Sequence, residues 1–293
     1  MRFEYRTDIR DNDVLRAAFN GLTRQVFGFD FAAWHDSGWW SPAHTGYTPH
    51  ALLADGTMAA NVSATPITFR VAGKPLRALQ LGTVMTAPEW RGKGLARRLM
   101  EQVLDEAAGR YDMIYLYAND SVLEFYPRFG FAPATEHAFS LPLPGAGGAA
   151  ALSADMDSPA DREKLLRLYA QGNPLSGAAM AGETGLLMFY CAGFMKDCVY
   201  FIDALNAAAV AEYDGDTLLL QDVFCPAGTP LEAVLRALAR PGVSRAALGF
   251  TPKDAAGMDC VPLVGEEGGL FVMKGLANPF AERKMRLPVL SHT

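Results

Sequence analysis

Residues Leu81-Gly82-Thr83-Val84-Met85-Thr86-Ala87-Pro88-Glu89-Trp90-Arg91-Gly92-Lys93-Gly94-Leu95-Ala96-Arg97-Arg98-Leu99-Met100 read as a strand, a turn set by Pro88, and a glycine-rich loop that opens an amphipathic helix. Gly92 and Gly94 let the backbone turn without a Cβ penalty and let a ligand come close. The first N–H groups of a helix lack intrahelical acceptors, and the helix dipole adds partial positive charge there. Arg91 and Lys93 add full charges. The stretch therefore reads as a cradle for a pyrophosphate. It is not a Walker loop, because GxxxxGK[ST] is absent, and no GxGxxG occurs at the first strand–helix turn.

The flanking sequence fits an α/β unit with a mixed sheet. Residues 1–6 alternate as a strand. Asp11, Asn12 and Asp13 offer N-caps for a helix reaching about Phe27, with Leu15, Phe19 and Leu22 on its buried face. Strands are expected over 47–54, 58–69 and 75–86, with Asp55-Gly56 as a hairpin turn. Leu95, Leu99, Val103 and Ala107 recur at a spacing of four, one face of the helix after the cradle. Met113–Ala118 is a continuous apolar run, as in a strand buried on both faces. A helix joining two such strands is a parallel βαβ crossover. The next strand is expected from Phe131 to about Ser140.

Two motifs carry a family resemblance. Arg91-Gly92-Lys93-Gly94-Leu95-Ala96 has the form Arg-x-x-Gly-x-Ala. Asn119-Asp120-Ser121-Val122-Leu123-Glu124-Phe125-Tyr126-Pro127-Arg128-Phe129-Gly130-Phe131 keeps an Asn, a Phe-Tyr pair and a Gly-Phe at fixed spacing. Together they resemble the GCN5-related N-acetyltransferase (GNAT) family, whose cofactor loop is [Gln/Arg]-x-x-Gly-x-[Gly/Ala]. The second motif departs from the family pattern by Val122 and Leu123 where a small residue is usual, and by Pro127 after the tyrosine.

The resemblance implies a GNAT fold, a mixed central sheet with helices on both faces, and acetyl-CoA as cosubstrate. It implies that Val84, Met85 and Thr86 hold the pantetheine arm and thioester through their backbone. It implies that the amides of Arg91, Gly92, Lys93, Gly94, Leu95 and Ala96 take the pyrophosphate, and that Asn119 and Phe125 contact the cofactor. Tyr126 would be the acid that protonates the leaving sulfur. The aromatic stretch between the first helix and second strand, with Phe29, Trp34, Trp39 and Trp40, would wall the acceptor-amine cleft. Asp30, His35, Asp36, His44 and His50 are alternative candidates for the base, and in the resembled tandem group the C-terminal carboxylate, here Thr293, has that role.

The chain has 293 residues, room for two units. Pro142 to Ala150 has linker composition, which divides it into a catalytic domain over 1–142, a linker over 143–156 and a second domain over 157–293. The second half repeats the order of the first. A helix lies near 159–168 and another over 183–191. Strands lie over 199–202, 207–213 and 217–224, a helix over 231–238, and strands over 245–250 and 269–274. The apolar tail 286–293 should dock as a strand. After Gln221–Pro226 there is no Arg-x-x-Gly-x-Ala, so this second GNAT-like unit is expected to be degenerate. The arrangement resembles the enhanced-intracellular-survival type of acetyltransferase without its third domain.

The chain has 26 basic and 32 acidic residues, net charge −6, which argues against a general nucleic-acid or anionic-membrane binder. The four cysteines form no CxxC pair and no metal-ligand spacing, so no metal is expected. No signal peptide and no apolar run long enough to span a bilayer appear, which points to a cytoplasmic protein. The expected partners are acetyl-CoA and a small-molecule or peptide amine, the acidic balance favouring a cationic acceptor, with homo-oligomerisation left open. The alternative is an acyl-CoA-binding regulatory module without turnover.

Overall fold

The computed structural model describes residues 2–145, 147–264 and 269–293. A short strand β1 (Glu4–Arg6) precedes helix α1 (Asp13–Phe27), whose Asn12 side chain caps it by accepting from the N–H groups of Val14 and Leu15 at 3.1 Å. A five-residue helix α2 (Ala32–Asp36) follows. Strands β2 (Thr48–Ala54), β3 (Thr57–Val71) and β4 (Lys74–Thr86) form an antiparallel meander. Its hairpins turn at Asp55-Gly56 and Ala72-Gly73, all four residues having positive φ, the geometry that matches strand twist. Helix α3 (Leu95–Ala107) then crosses over to β5 (Met113–Tyr117), parallel to β4. Leu95, Leu99, Val103 and Ala107 are all buried, as their spacing predicts.

Beyond β5 come β6 (Phe131–Pro133), β7 (His137–Pro142) and β8 (Leu152–Ser153), then α4 (Pro159–Tyr169) and β9 (Ala178–Ala181). Helix α5 (Thr184–Phe189) runs into a π-helical turn, Tyr190–Phe194. Strands β10 (Val199–Ile202), β11 (Ala207–Asp214) and β12 (Thr217–Phe224), helix α6 (Leu231–Leu238), and strands β13 (Arg245–Leu248), β14 (Asp259–Pro262) and β15 (Leu270–Met273) complete the described elements. β12, α6 and β13 repeat the parallel crossover of β4, α3 and β5, so the fold is two GNAT-like units, each a mixed sheet with helices.

The two sheets exchange strands. The first has the order β1-β2-β3-β4-β5-β15-β6, with β9 also on β3, and the second β14-β7-β13-β12-β11-β10-β8. Thus β15, from the end of the chain, sits between β5 and β6, and β7, from the first half, lies between β13 and β14. The cut at residue 142 read from linker composition therefore does not coincide with the division between sheets. Composition marks where the chain is flexible locally, whereas strand partners are chosen by burial: Leu270, Phe271 and Val272 are at most 3% exposed once inserted. The single strand expected from 131 to 140 is broken, because the chain changes sheets between Pro133 and His137. The tail docks as expected, but as a 3₁₀ turn over Val289–Ser291 rather than a strand.

One hydrophobic cluster joins the halves: Phe69, Met113 and Tyr115 of the first sheet pack with Leu186, Phe201, Phe224, Leu287 and Leu290. At the crossing between sheets, buried Glu136 accepts the Leu287 N–H at 2.7 Å. Burial pushes its carboxyl up to about 7, against the opposing pull of that N–H and of Arg286. A carboxyl that holds its proton more tightly when folded favours the folded state at low pH and loses that advantage as pH rises through about 7. Glu136→Gln, which keeps the acceptor and cannot ionise, should therefore gain about 2 kcal/mol on the parent protein between pH 5 and pH 8. Urea unfolding at the two pH values measures the difference. A constant offset between the two proteins would mean that Glu136 is ionised throughout.

Candidate active site

Strands β4 and β5 pair for only four residues, Ala78–Leu81 against Met113–Leu116, and then separate. The separation begins at a bulge in β4. Between the pairs Ser63–Gly82 and Asn61–Met85, β4 has one residue more than β3, and Thr83 takes φ 46°. Buried polar groups hold that strained conformation. Asn61 donates through Nδ2 to the Thr83 carbonyl at 3.0 Å, and Tyr47 Oη lies 2.8 Å from both Thr83 Oγ1 and Ser63 Oγ. A cavity of about 840 Å³ opens at this fork.

The loop beyond β4 forms one end of the cavity. Ala87 leads into a single 3₁₀ turn, Pro88–Trp90, and Gly92 and Gly94 adopt φ 75° and 77° with open space where a Cβ would stand. Gly94 caps α3 without any side-chain hydrogen bond. The Arg91 N–H donates to Pro88 and the Arg98 N–H to Gly94, but among the described residues the amides between them, 92 to 97, have no backbone or side-chain acceptor outside the helix ladder. A 13-residue helix thus presents bare donors and its positive dipole end to the loop. Arg91 and Ala96 line the cavity, and the Arg91 Nε also donates to the Thr86 carbonyl at 3.3 Å. Lys93 instead lays its Nζ 4.1 Å from the centre of the Trp90 ring.

On the other side of the fork, Asn119, Ser121, Val122, Phe125 and Tyr126 line the cavity. Tyr126 opens a 3₁₀ turn, Tyr126–Phe129, shortened by Pro127. Its ring is packed by Phe125, Phe131 and Phe271, at 5.3, 6.4 and 5.9 Å. Phe271 belongs to β15, so a strand from the end of the chain helps fix this tyrosine. Among the described residues its hydroxyl has no protein partner and is not sealed in the interior, so it faces the cavity. Burial pushes its pKa up to about 12, which keeps it protonated.

The tail enters from below the fork. With its amide oriented to satisfy both neighbours, Gln80 donates to the Ser291 carbonyl at 2.6 Å and accepts the Thr293 N–H at 3.0 Å. Tyr190 Oη donates to the His292 carbonyl at 2.9 Å, and the His292 ring lies 4.0 Å from that of Tyr117. Burial and the nearby Arg286 push His292 down to about 3, so it is neutral. Both His292 and Thr293 line the cavity.

The sequence-derived residues divide. Val84, Met85, Thr86, Arg91, Ala96, Asn119, Phe125, Tyr126, Phe29, Trp34 and Thr293 border one cavity. Gly92, Lys93, Gly94 and Leu95 stand in the loop and helix start behind Arg91, with Leu95 buried in the core. Trp39 and Trp40 do not border the cavity. Trp40 is 1% exposed and donates through Nε1 to the Tyr47 carbonyl, and Trp39 packs against the His44 ring at 4.5 Å, tilted by 58°. Of the base candidates in the front segment, Asp30 is held by Arg24 and the Ala32 N–H, His44 is bonded to Thr184, and His50 to Tyr5. None of these borders the cavity. The sequence reading missed Tyr47, Tyr117, Phe189, Tyr190, Phe194 and His292, all of which do.

The site is thus built on a bulged strand splayed from its parallel neighbour, with an uncapped helix at the fork. Residues 12–134 match the family model described as an acetyltransferase (GNAT) domain, and the chain carries a GNAT-family domain there. Whole-chain likeness extends to a protein of Enterococcus faecalis V583 described as a probable N-acyltransferase, with TM-score 0.60 and 15% identity over 93% of this chain and 72% of that one. It extends also to a GCN5-related N-acetyltransferase of Kribbella flavida, at TM-score 0.57 and 14% identity over 92% and 71%. Eis1 of Mycobacterium abscessus aligns at 0.53 and 16% over 89% and 72%. At these identities the likeness concerns the fold, which is the tandem GNAT arrangement. No curated protein sequence matches the chain significantly. Among the described residues, no helix is long and apolar enough to cross a membrane.

Gly82 is the point where the tail meets the fork. A Cβ there would stand 2.9 Å from the carbonyl carbon and 3.0 Å from Oγ1 of Thr293, and closer still to its main-chain oxygen. The backbone of Gly82 suits any residue, so Gly82→Ala should leave the fold intact and dislodge the tail. Release of Thr293 by carboxypeptidase is expected to rise about tenfold, the equivalent of ~1.4 kcal/mol of lost docking. An unchanged rate would show that the tail is not seated against the strand.

Proposed function

We propose that the chain is an N-acetyltransferase that transfers an acetyl group from acetyl-CoA to a primary amine by direct attack in a ternary complex. The observation that carries this reading is that one cavity is bordered both by Arg91 and Ala96, the first just before the bare amides and the second among them, and by the open hydroxyl of Tyr126. Bare amides at a helix start, with no Cβ at Gly92 or Gly94, suit a pyrophosphate. The gap between β4 and β5 suits an extended arm that hydrogen-bonds the free edge of Val84–Thr86. Acetyl-CoA supplies an activated thioester carbonyl.

The residues of the chain have three tasks. The amides of 92–97 and the Arg91 guanidinium bind the diphosphate, with Asn119 and Phe125 against the arm. The Thr293 carboxylate takes the proton of the attacking amine as the new C–N bond forms. The Tyr126 hydroxyl gives its proton to sulfur as the C–S bond breaks. A phenol near 12 is a weak acid against a free thiol near ~8.5, but desolvation in a shared cavity raises the proton affinity of the departing sulfur as well. The open, protonated Tyr126 supports turnover over a binding-only role.

Tyr126→Phe should lower kcat by about 10²-fold while leaving the dissociation constant of acetyl-CoA within about twofold, as expected for an acid that acts only in the chemical step. Gly94→Val, at φ 77°, should instead weaken acetyl-CoA binding at least about tenfold. Stopped assays of thiol release and calorimetric titration separate the two. Full activity in Tyr126→Phe removes the proposed acid. Appending two glycines after Thr293 moves the carboxylate away and should lower kcat about 10²-fold, and an unaffected rate would place the base elsewhere.

A further inference from the structure

The end of the cavity away from the α3 loop is walled by aromatic rings from both halves of the chain. Phe31 stacks on Phe189 at 5.6 Å and 17°, and Trp34 meets Phe189 edge-on at 5.1 Å. Phe189 in turn meets Phe194 at 5.2 Å, and Phe194 meets Phe29 at 5.6 Å and 87°. The wall therefore continues unbroken from buried Trp34 to the two rings at its outer edge. Those two are left in water: Phe194 is 61% exposed and Phe29 37%. Exposed rings at the mouth of an aromatic cavity mark a place where an apolar ligand completes the burial.

The charges around this wall exclude a second kind of ligand. Among the described residues bordering the cavity there is no Asp, Glu or Lys side chain, and the side-chain cation is Arg91 at the α3 end, since His292 is neutral. The acids nearest in sequence stand outside the cavity lining. Asp30 is bonded to Arg24 and to the Ala32 N–H. Glu183 does not border the cavity, its Oε2 is sealed in the interior without a partner and burial pushes its carboxyl up to about 7, and Asp36 is exposed beside His35. Apart from the Thr293 carboxylate proposed as the base, the acidic groups behind the net charge of −6 thus lie, among the described residues, outside the cavity. A polyamine or aminoglycoside entering here would bring several ammonium groups against rings with the single Thr293 carboxylate to pair them, a costly desolvation for the rest. One amine on an apolar body would bury the rings and leave its nitrogen at the polar centre of the cavity, where Thr83, Tyr126 and Thr293 lie.

We propose that this arm of the cavity takes a monoamine carried on an aromatic or similarly compact apolar body, and selects against multiply charged acceptors. As a statement about acceptor class it rests on the acyltransferase reading above. The test uses the full chain with acetyl-CoA and four amines, phenethylamine, tryptamine, spermidine and kanamycin. It follows thiol release, and separately measures amine binding by calorimetry with coenzyme A present. The expected result is a kcat/KM for the two arylalkylamines at least about tenfold above the two polycations. In Phe194→Ala, the KM for phenethylamine should rise about fivefold with the KM for acetyl-CoA unchanged. Equal or better use of spermidine or kanamycin overturns the acceptor class and leaves the acyltransferase standing. Arylalkylamines that bind but are never acetylated keep the acceptor class and overturn the acyltransferase. Failure of the arylalkylamines to bind at all overturns the acceptor class. So does a preference for octanoyl-CoA with loss of phenethylamine binding, which would make the wall an acyl-chain pocket.

Discussion

The parting of β4 from β5 after Leu81 and Leu116 is the constraint on which the rest of the site depends. Two parallel strands that stay paired leave no free edge and no space, and the helix between them would begin against a closed sheet. The extra residue at Thr83 turns β4 away, and its positive φ is tolerated because Tyr47, Ser63 and Asn61 surround it with buried hydrogen bonds. A non-glycine residue in that region carries a cost on the order of 1–3 kcal/mol, and it persists only where neighbours over-determine it. Buried polar groups in the strand face are usually a liability, but here the Tyr47 and Ser63 hydroxyls and Asn61 Nδ2 have partners whose positions define the bulge, and Asn61 Oδ1 alone of the three side chains' polar atoms is left unpaired.

The fork also explains why the two halves of the chain are interleaved. An opened sheet exposes β5 along its far side, and β15 covers it, bringing Phe271 behind Tyr126. The same segment leads to the tail, which fills the base of the fork at Gly82 and Gln80. α5 and its π-helical turn then lie against the aromatic segment, tied by the Trp34 Nε1 bond to the Gly185 carbonyl at 2.9 Å and the Gly185 N–H bond to the His44 carbonyl at 2.8 Å. The second unit, having no glycine-rich phosphate loop after β12, contributes walls and anchors to the first unit's cavity. It completes a cavity whose bare-amide end belongs wholly to the first unit.

What the sequence discloses is what is local. The glycine-rich turn at 91–96, the α3 face at Leu95, Leu99, Val103 and Ala107, the Asn12 cap and the Asp55-Gly56 turn each depend on residues close together in the chain, and each can be read directly. The Phe125-Tyr126 pair is legible for the same reason. What pairs across long stretches of chain is not legible. Nothing in Leu270–Met273 says that its partners are β5 and β6 rather than the neighbouring sheet, because a short apolar run satisfies either. Ala178–Ala181 has no β-branched residue at all, and it is a strand only because the edge of β3 is there to pair with it. Trp39 and Trp40 look like binding residues in a run of aromatics, yet adjacent residues diverge, and both are taken up in packing.

The aromatic wall shows the same limit more sharply, and with it a limit of composition as a guide to ligands. Net charge is a property of the whole surface, screened within about 8 Å at physiological ionic strength, whereas acceptor choice is decided by groups a few ångströms from the bound molecule. An acidic balance therefore suggests a cationic acceptor only if some of the acid reaches the cavity. Here Asp30 is spent on Arg24, Glu183 is buried outside the cavity, and this arm is lined by Phe29, Phe31, Trp34, Phe189 and Phe194. Phe189 and Phe194 lie some 150 residues from Phe29–Trp34 in the chain, so the wall exists only after the halves have docked. The aromatic wall is thus a product of tertiary assembly, while the bare-amide end is a product of six consecutive residues. That asymmetry allows one part to stay fixed by local backbone geometry while the other is free to change with the packing between units.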